Sequence, residues 1–279
     1  MKKWLKILII IGIIIIIPLM FIYFFQDKLL YRPWHDEESY EFLKGDERFK
    51  EIFIDIDDKK LHGWYKTNGA KNTPLIIFFH GNAENASSVT KYFLDGNVYK
   101  SFEGYDFLVI DYPGYGLSTG KPNQKDIFKM TLSVYDYAAT LKTVDKTKIV
   151  SAGFSIGTGM ATYLAANRDV SGLILISPYD EIRSLYNNFI NIFYGPMKML
   201  IKDKYETYKY AKEVKVLPII FTSIADDVVD YNSSLRLADS FNKTYDTVIL
   251  NEGSHIQYFS NKEVLNKIEE YLDDYLLEK

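Results

Sequence analysis

The chain has 279 residues, 47% of them apolar, and a formal charge of -4. That length supports one substantial core, and the slight acidity argues against the basic patch of a nucleic-acid binder. With no cysteine in the sequence, disulfides, thiolate-held metals, iron–sulfur clusters and thiol nucleophiles are excluded.

The first element is a run from Ile7 to Phe25 without a charged residue. At ~1.5 Å per helical residue it nearly matches a ~30 Å hydrocarbon core. It ends in FIYFFQDK rather than in the small residues of a signal-cleavage site, so residues 1–27 read as an uncleaved membrane anchor. Lys2, Lys3 and Lys6 before the span, against Lys28 and Arg32 after it, favour a cytoplasmic N-terminus with the folded domain outside. Residues 28–48 are polar and charged and read as a juxtamembrane connector.

From residue 49 a single domain is expected to run to residue 279. EIFIDIDDKKLHGWYKT (51–67) alternates apolar and polar residues about a turn at 57–60, which predicts a hairpin. LIIFFH (75–80), DFLVIDY (106–112), KIVSAGFS (148–155) and GLILISP (172–178) follow as short apolar runs, with helical stretches between the later pairs. LPIIFTSIAD (217–226) and TVILNEG (247–253) extend the series, and NKEVLNKIEEYLDDYL (261–276) closes it as an amphipathic helix. Near-continuous apolar strands alternating with helices predict an α/β fold whose mostly parallel sheet is covered on both faces.

In such a sheet, sites gather at the carboxyl ends of the strands. His80, Asp111, Ser155, Asp226 and His255 all fall there. Ser155 lies in GFSIG between a strand and a helix-like run, the setting of a nucleophile elbow. Side chains at Gly153 and Gly157 would collide with neighbouring backbone, and the serine would be strained.

A serine hydroxyl needs a base within hydrogen-bond reach, and the base needs a group that fixes its tautomer. Of the four histidines, only His255, in NEGSH after the last strand, follows the chain order Ser, Asp, His of this architecture. The oxyanion of a tetrahedral intermediate would be met by the backbone N–H of Ile156 and, in the turn FFHGNAEN, by that of Asn82. His80 is expected to brace that turn. The glycines of DYPGYGLSTG are spaced GxGxxxG, one residue too long for a dinucleotide fingerprint, and no GxxxxGK[ST] is present.

Together QDKLLYRP, FFHGNAEN, DYPGYGLSTG, GFSIGTGMA, ISPY, ADDVV and GSH resemble the alpha/beta-hydrolase superfamily, specifically its small membrane-anchored serine hydrolases, including domains of the serine aminopeptidase type. The resemblance covers most of the chain from about Lys28. It implies a Ser-His-Asp hydrolase acting on small acyl-ester, thioester or lipid-like substrates without a cofactor or metal. It also puts the acid two residues before the paired valines, at Asp226 rather than Asp227. Such proteins often read HGxxDxxVP there, whereas residues 222–230, TSIADDVVD, lack both the glycine and the proline.

A small helical lid is expected at about 181–205. Within it Tyr186, Phe189, Ile190 and Phe193 recur at helical spacing, either to bind an acyl chain or to pack on the core. The same triad could serve a serine peptidase, and a silent binding protein on a hydrolase scaffold is the non-enzymatic alternative.

Overall fold

The computed structural model describes residues 2–67, 69–189 and 191–276. Its centre is one sheet of eight strands in the order β1-β2-β4-β3-β5-β6-β7-β8. They are β1 (Phe49–Ile56), β2 (Lys59–Lys66), β3 (Thr73–Phe79), β4 (Asp106–Ile110), β5 (Val144–Phe154), β6 (Gly172–Ile176), β7 (Pro218–Ser223) and β8 (Asp246–Leu250). The pairings β1–β2 and β2–β4 are antiparallel, and those from β4 through β8 are parallel.

The expected hairpin forms across a two-residue connection, Asp57 and Asp58, with Asp57 at φ +54°. Positive φ at this position matches the twist of the flanking strands, and aspartate tolerates it well. Burial along β1 falls on Phe49, Ile52 and Ile54, while β4 and β6 are buried at every residue because helices cover both of their faces.

The helices are α1 (Lys2–Leu30), α2 (Glu37–Lys44), α3 (Ala86–Asp95), α4 (Gln124–Ala138), α5 (Gly157–Asn167), α6 (Ile182–Phe189), α7 (Thr207–Ala211), α8 (Tyr231–Ala238) and α9 (Lys262–Leu276). Helix α3 lies between the first pair of parallel strands, where the apolar pattern predicts no helix. The polar tetrad Asn85-Ala86-Ser87-Ser88 reads as loop, yet it forms a capping box. Asn85 Oδ1 accepts from the Ser88 N–H at 3.0 Å, and Ser88 Oγ accepts from the Asn85 N–H at 3.0 Å.

Helix α1 is apolar enough to cross a membrane, and most of its large side chains up to Phe25 are exposed. Its end is part of the domain. Gln26 is buried, donating to the Leu200 carbonyl at 2.8 Å and accepting from the Lys202 N–H at 2.9 Å. Leu30 and Tyr31 join the core, and the Tyr31 hydroxyl meets Asp203 at 2.7 Å and Tyr205 at 2.8 Å. The stretch 28–48 is thus stitched onto the fold: Asp36 caps α2, and Leu43 of α2 is fully buried.

Candidate active site

Ser155 follows β5 and precedes α5 with φ +53°, the left-handed conformation that a β-carbon disfavours. Its N–H donates to the Ile176 carbonyl at 2.9 Å, which pins the turn to the adjacent strand. A β-carbon on Gly157 would lie 2.0 Å from the Phe79 carbonyl oxygen, and one on Gly153 2.5 Å from that of Gly157. Both glycines are therefore steric necessities of the turn. Ser155 is only 6% exposed, and its hydroxyl has no hydrogen-bond partner among the described residues.

Asp226 and His255 meet at the carboxyl ends of β7 and β8. His255 Nδ1 lies 3.0 Å from Asp226 Oδ2 and 3.1 Å from Oδ1. Asp226 Oδ1 also accepts from the N–H groups of Val228 and Val229, each at 2.9 Å. Its Oδ2 accepts from the Ser177 hydroxyl at 2.6 Å and the Tyr258 hydroxyl at 3.0 Å. Burial pushes this carboxyl up, but the bonds and charge of His255 and the other donors outweigh it and hold the group at about 2. An ionised Asp226 makes Nδ1 the protonated nitrogen, leaving Nε2 to accept.

The ring of Phe154, the neighbour of Ser155, stacks on His255 at 4.8 Å between centroids. Ser177, one residue past the carbonyl that holds Ser155, also contacts His255 Nδ1 at 3.1 Å. Strand pairing and stacking thereby join Asp226 and His255 to the strand ends beside which Ser155 turns, with no hydrogen bond between Ser155 and His255 among the described residues. Asp227 is exposed, but its Oδ1 accepts from the His255 backbone N–H at 3.1 Å. Asp230 caps α8, its side chain accepting from the Asn232 N–H.

The turn after β3 is braced from several sides. The Asn82 side chain donates to the Leu30 carbonyl at 2.6 Å and accepts from the Arg32 N–H and the Tyr115 hydroxyl at 3.0 and 2.8 Å. Its backbone N–H and that of Ile156 carry no hydrogen bond to a described residue, so both are free to donate. His80 is wholly buried, its Nδ1 on the Gly81 carbonyl at 2.8 Å and its ring stacked on Tyr112. His62 pairs instead with Asp111 at 2.7 Å, and His35 with Glu37 at 2.7 Å.

Tyr258 carries no motif in the sequence, and Ser177 lies in ISPY, a stretch to which the sequence alone assigns no site role. Ser177 stands just past the end of β6 with φ +52°. Phe193 is buried in the core with its ring 5.3 Å from that of Tyr186, whose hydroxyl donates to the Gln26 carbonyl at 3.3 Å. Tyr186 thereby ties this segment to the end of α1. Phe189 closes α6, and its side chain and Ile190 lie outside the described residues. No cluster of three or more His, Asp or Glu able to hold a metal occurs among the described residues.

A family model of the alpha/beta hydrolase fold matches residues 74–278. Protein bem46 of Schizosaccharomyces pombe is 26% identical over 223 residues, 77% of this chain and 74% of that protein. The alpha/beta hydrolase domain-containing protein aho-3 of Caenorhabditis elegans is 26% identical over 162 residues, and the match spans 58% of this chain but only 46% of that protein. Among solved structures, Est1E from Butyrivibrio proteoclasticus with ferulic acid bound superposes with a TM-score of 0.67 at 20% identity, covering 81% of this chain and 99% of that one. The Pyrococcus furiosus esterase Pf2001 gives 0.68 at 16%, with 88% and 99% covered. At such identities the two structures speak for the fold alone.

Proposed function

Since the chain belongs to the alpha/beta-hydrolase family, we propose that it is a serine hydrolase of carboxylic esters or thioesters, working through Ser155, His255 and Asp226. The observation that carries this reading is the hydrogen-bonded Asp226–His255 pair beside a serine held at φ +53°. The name of Pf2001 as an esterase adds support for esters.

In the reaction, Ser155 Oγ attacks the acyl carbon while His255 Nε2 takes its proton. Asp226 holds the imidazole in the required tautomer and offsets the charge of the imidazolium. The N–H groups of Asn82 and Ile156 donate to the oxyanion. As the tetrahedral intermediate collapses, the bond to the leaving oxygen or sulfur breaks and His255 returns the proton to it. Water then repeats the sequence on the acyl-enzyme, regenerating Ser155.

The exposed apolar length of α1 supports a membrane anchor, with Trp4 and Tyr23 near its two ends where interfacial aromatics gather. The lysines ahead of it support a cytoplasmic N-terminus. A fluorophosphonate probe tests the central assignment: it should label the parent protein, and Ser155→Ala should lose both labelling and turnover of p-nitrophenyl esters. Labelling of another serine in the alanine variant would refute it.

A further inference from the structure

The turn Gly81–Asn85 carries a carboxylate that none of the steps above uses. Glu84 Oε2 accepts the Gly81 N–H at 2.6 Å, one residue before the Asn82 donor. No cation pairs with Glu84 among the described residues, and its Oε1 has no hydrogen-bond partner there. Burial pushes its carboxyl up to about 7, against the bond from Gly81 and the nearby His255. Glu84 is half-buried with no cation beside it, which leaves its second oxygen open to a positively charged ligand.

Glu84 opens onto a recess of about 190 Å³ whose other walls are Tyr92, Phe154, Ile256 and Phe259. Phe154 and Phe259 lie 5.4 Å apart, and Tyr92 and Phe259 6.4 Å, centroid to centroid. Three aromatic rings around one carboxylate suit a small ammonium head, which gains from the ring faces as well as from the charge. The recess is linked to the base through its walls, not lined by it: Phe154 stacks on His255, and Ile256 follows it in the chain. His255 returns its proton to the leaving group, so a leaving group long enough to pass the Phe154 ring would reach Glu84.

We infer that this recess is a leaving-group subsite for an ammonium-bearing alcohol or thiol, with Glu84 and Tyr92 setting the preference. The inference rests on the serine-hydrolase reading and specifies its substrate class.

The test compares kcat/KM for two butyrate esters of equal shape, the 2-(trimethylammonio)ethyl ester and its neutral 3,3-dimethylbutyl isostere, using the full-length protein. The parent should favour the cationic ester by about tenfold or more, a difference of ~1.4 kcal/mol. The preference should grow from pH 6 to pH 8 as Glu84 ionises. Glu84→Gln keeps an acceptor for the Gly81 N–H and should bring the ratio near one and flatten its pH dependence. Tyr92→Leu should lower the ratio several-fold. Because the readout is a ratio, a general loss of activity in either variant cancels. Hydrolysis of the neutral ester with a parent ratio near one, or a ratio unmoved by Glu84→Gln, overturns the subsite and leaves the hydrolase intact. Hydrolysis of neither ester, with no fluorophosphonate labelling, removes the hydrolase reading and the subsite with it.

Discussion

Two carboxylates stand side by side at the end of β7, and the structure gives them different partners. Asp226 takes the imidazole, two hydroxyls and two backbone N–H groups, whereas Asp227 takes the backbone N–H of His255. Asp226→Asn should therefore lower kcat by about four orders of magnitude, the loss that the same change of the orienting acid causes in a serine-protease triad. Asp227→Asn should keep kcat/KM within about tenfold of the parent, a difference of ~1.4 kcal/mol or less. The reverse ranking would reassign the acid. Asp226 also contributes to stability. Its folded value of about 2 lies below the ordinary aspartate value, so that stabilisation is complete above about pH 4. It should fade as the pH falls from about 4 to about 2, by on the order of 2 kcal/mol, and denaturant titrations of the parent and Asp226→Asn should converge over that window. Of this cluster, Ser155, His255 and the strand-end position of Asp226 were legible in the chain because motif and strand order mark them. The roles of Ser177, Tyr258 and Glu84 were not: the first and last lie inside the stretches ISPY and FFHGNAEN, but a polar side chain beside a strand end reveals its partner only in three dimensions.

Among the elements, the elbow between β5 and α5 shows how tightly backbone is fitted. Serine at φ +53° carries strain of about 1–2 kcal/mol that glycine lacks. Part of the relief is lost again because glycine has a larger unfolded-state entropy. Ser155→Gly should thus be more stable than Ser155→Ala by up to about 1 kcal/mol, both being inactive, and equal melting temperatures would argue against strain at this turn. The segment after β6 behaves differently. Phe193 is 3% exposed and wedged beside Tyr186, so Phe193→Ala should destabilise the protein by about 3 kcal/mol in chemical denaturation. An unchanged midpoint would restore it as a free wall of an acyl site. Spacing alone could not choose between these roles, because core packing and substrate binding ask for the same apolar pattern. The strands from β3 to β8 were readable for the opposite reason, since short runs of Ile, Leu, Val and Phe bounded by turns have few other homes, and β1 and β2 were readable from their alternation about a turn.

For the molecule as a whole, the boundary between the apolar helix α1 and the domain is the point on which the sequence was least informative. Residues 28–48 look like a spacer in composition, and only the fold reveals that Leu30, Tyr31 and Leu43 are core residues. A chain starting at Met20 should fold with near-parental stability. One starting at Trp34 loses Gln26, Leu30 and Tyr31 and should be weaker by on the order of 5 kcal/mol, given about 1.5–3 kcal/mol for each large buried side chain. Comparing the urea midpoints of the two truncations checks this, and equal midpoints would make the stretch a true spacer.

Helix α1 continues without interruption from its apolar stretch to Leu30, and Gln26 fixes its last turns to residues 200–202. Its 29 residues span roughly 44 Å, more than a ~30 Å hydrocarbon layer requires. Set in a bilayer, such a protein has no swivel. A domain on a limp tether tumbles and offers every face to the surface in turn, whereas this one, were α1 to span the bilayer, would drift laterally with its bearing to the lipid constrained. Its encounters with substrate would be a planar search at one height, in which orientation is settled before collision.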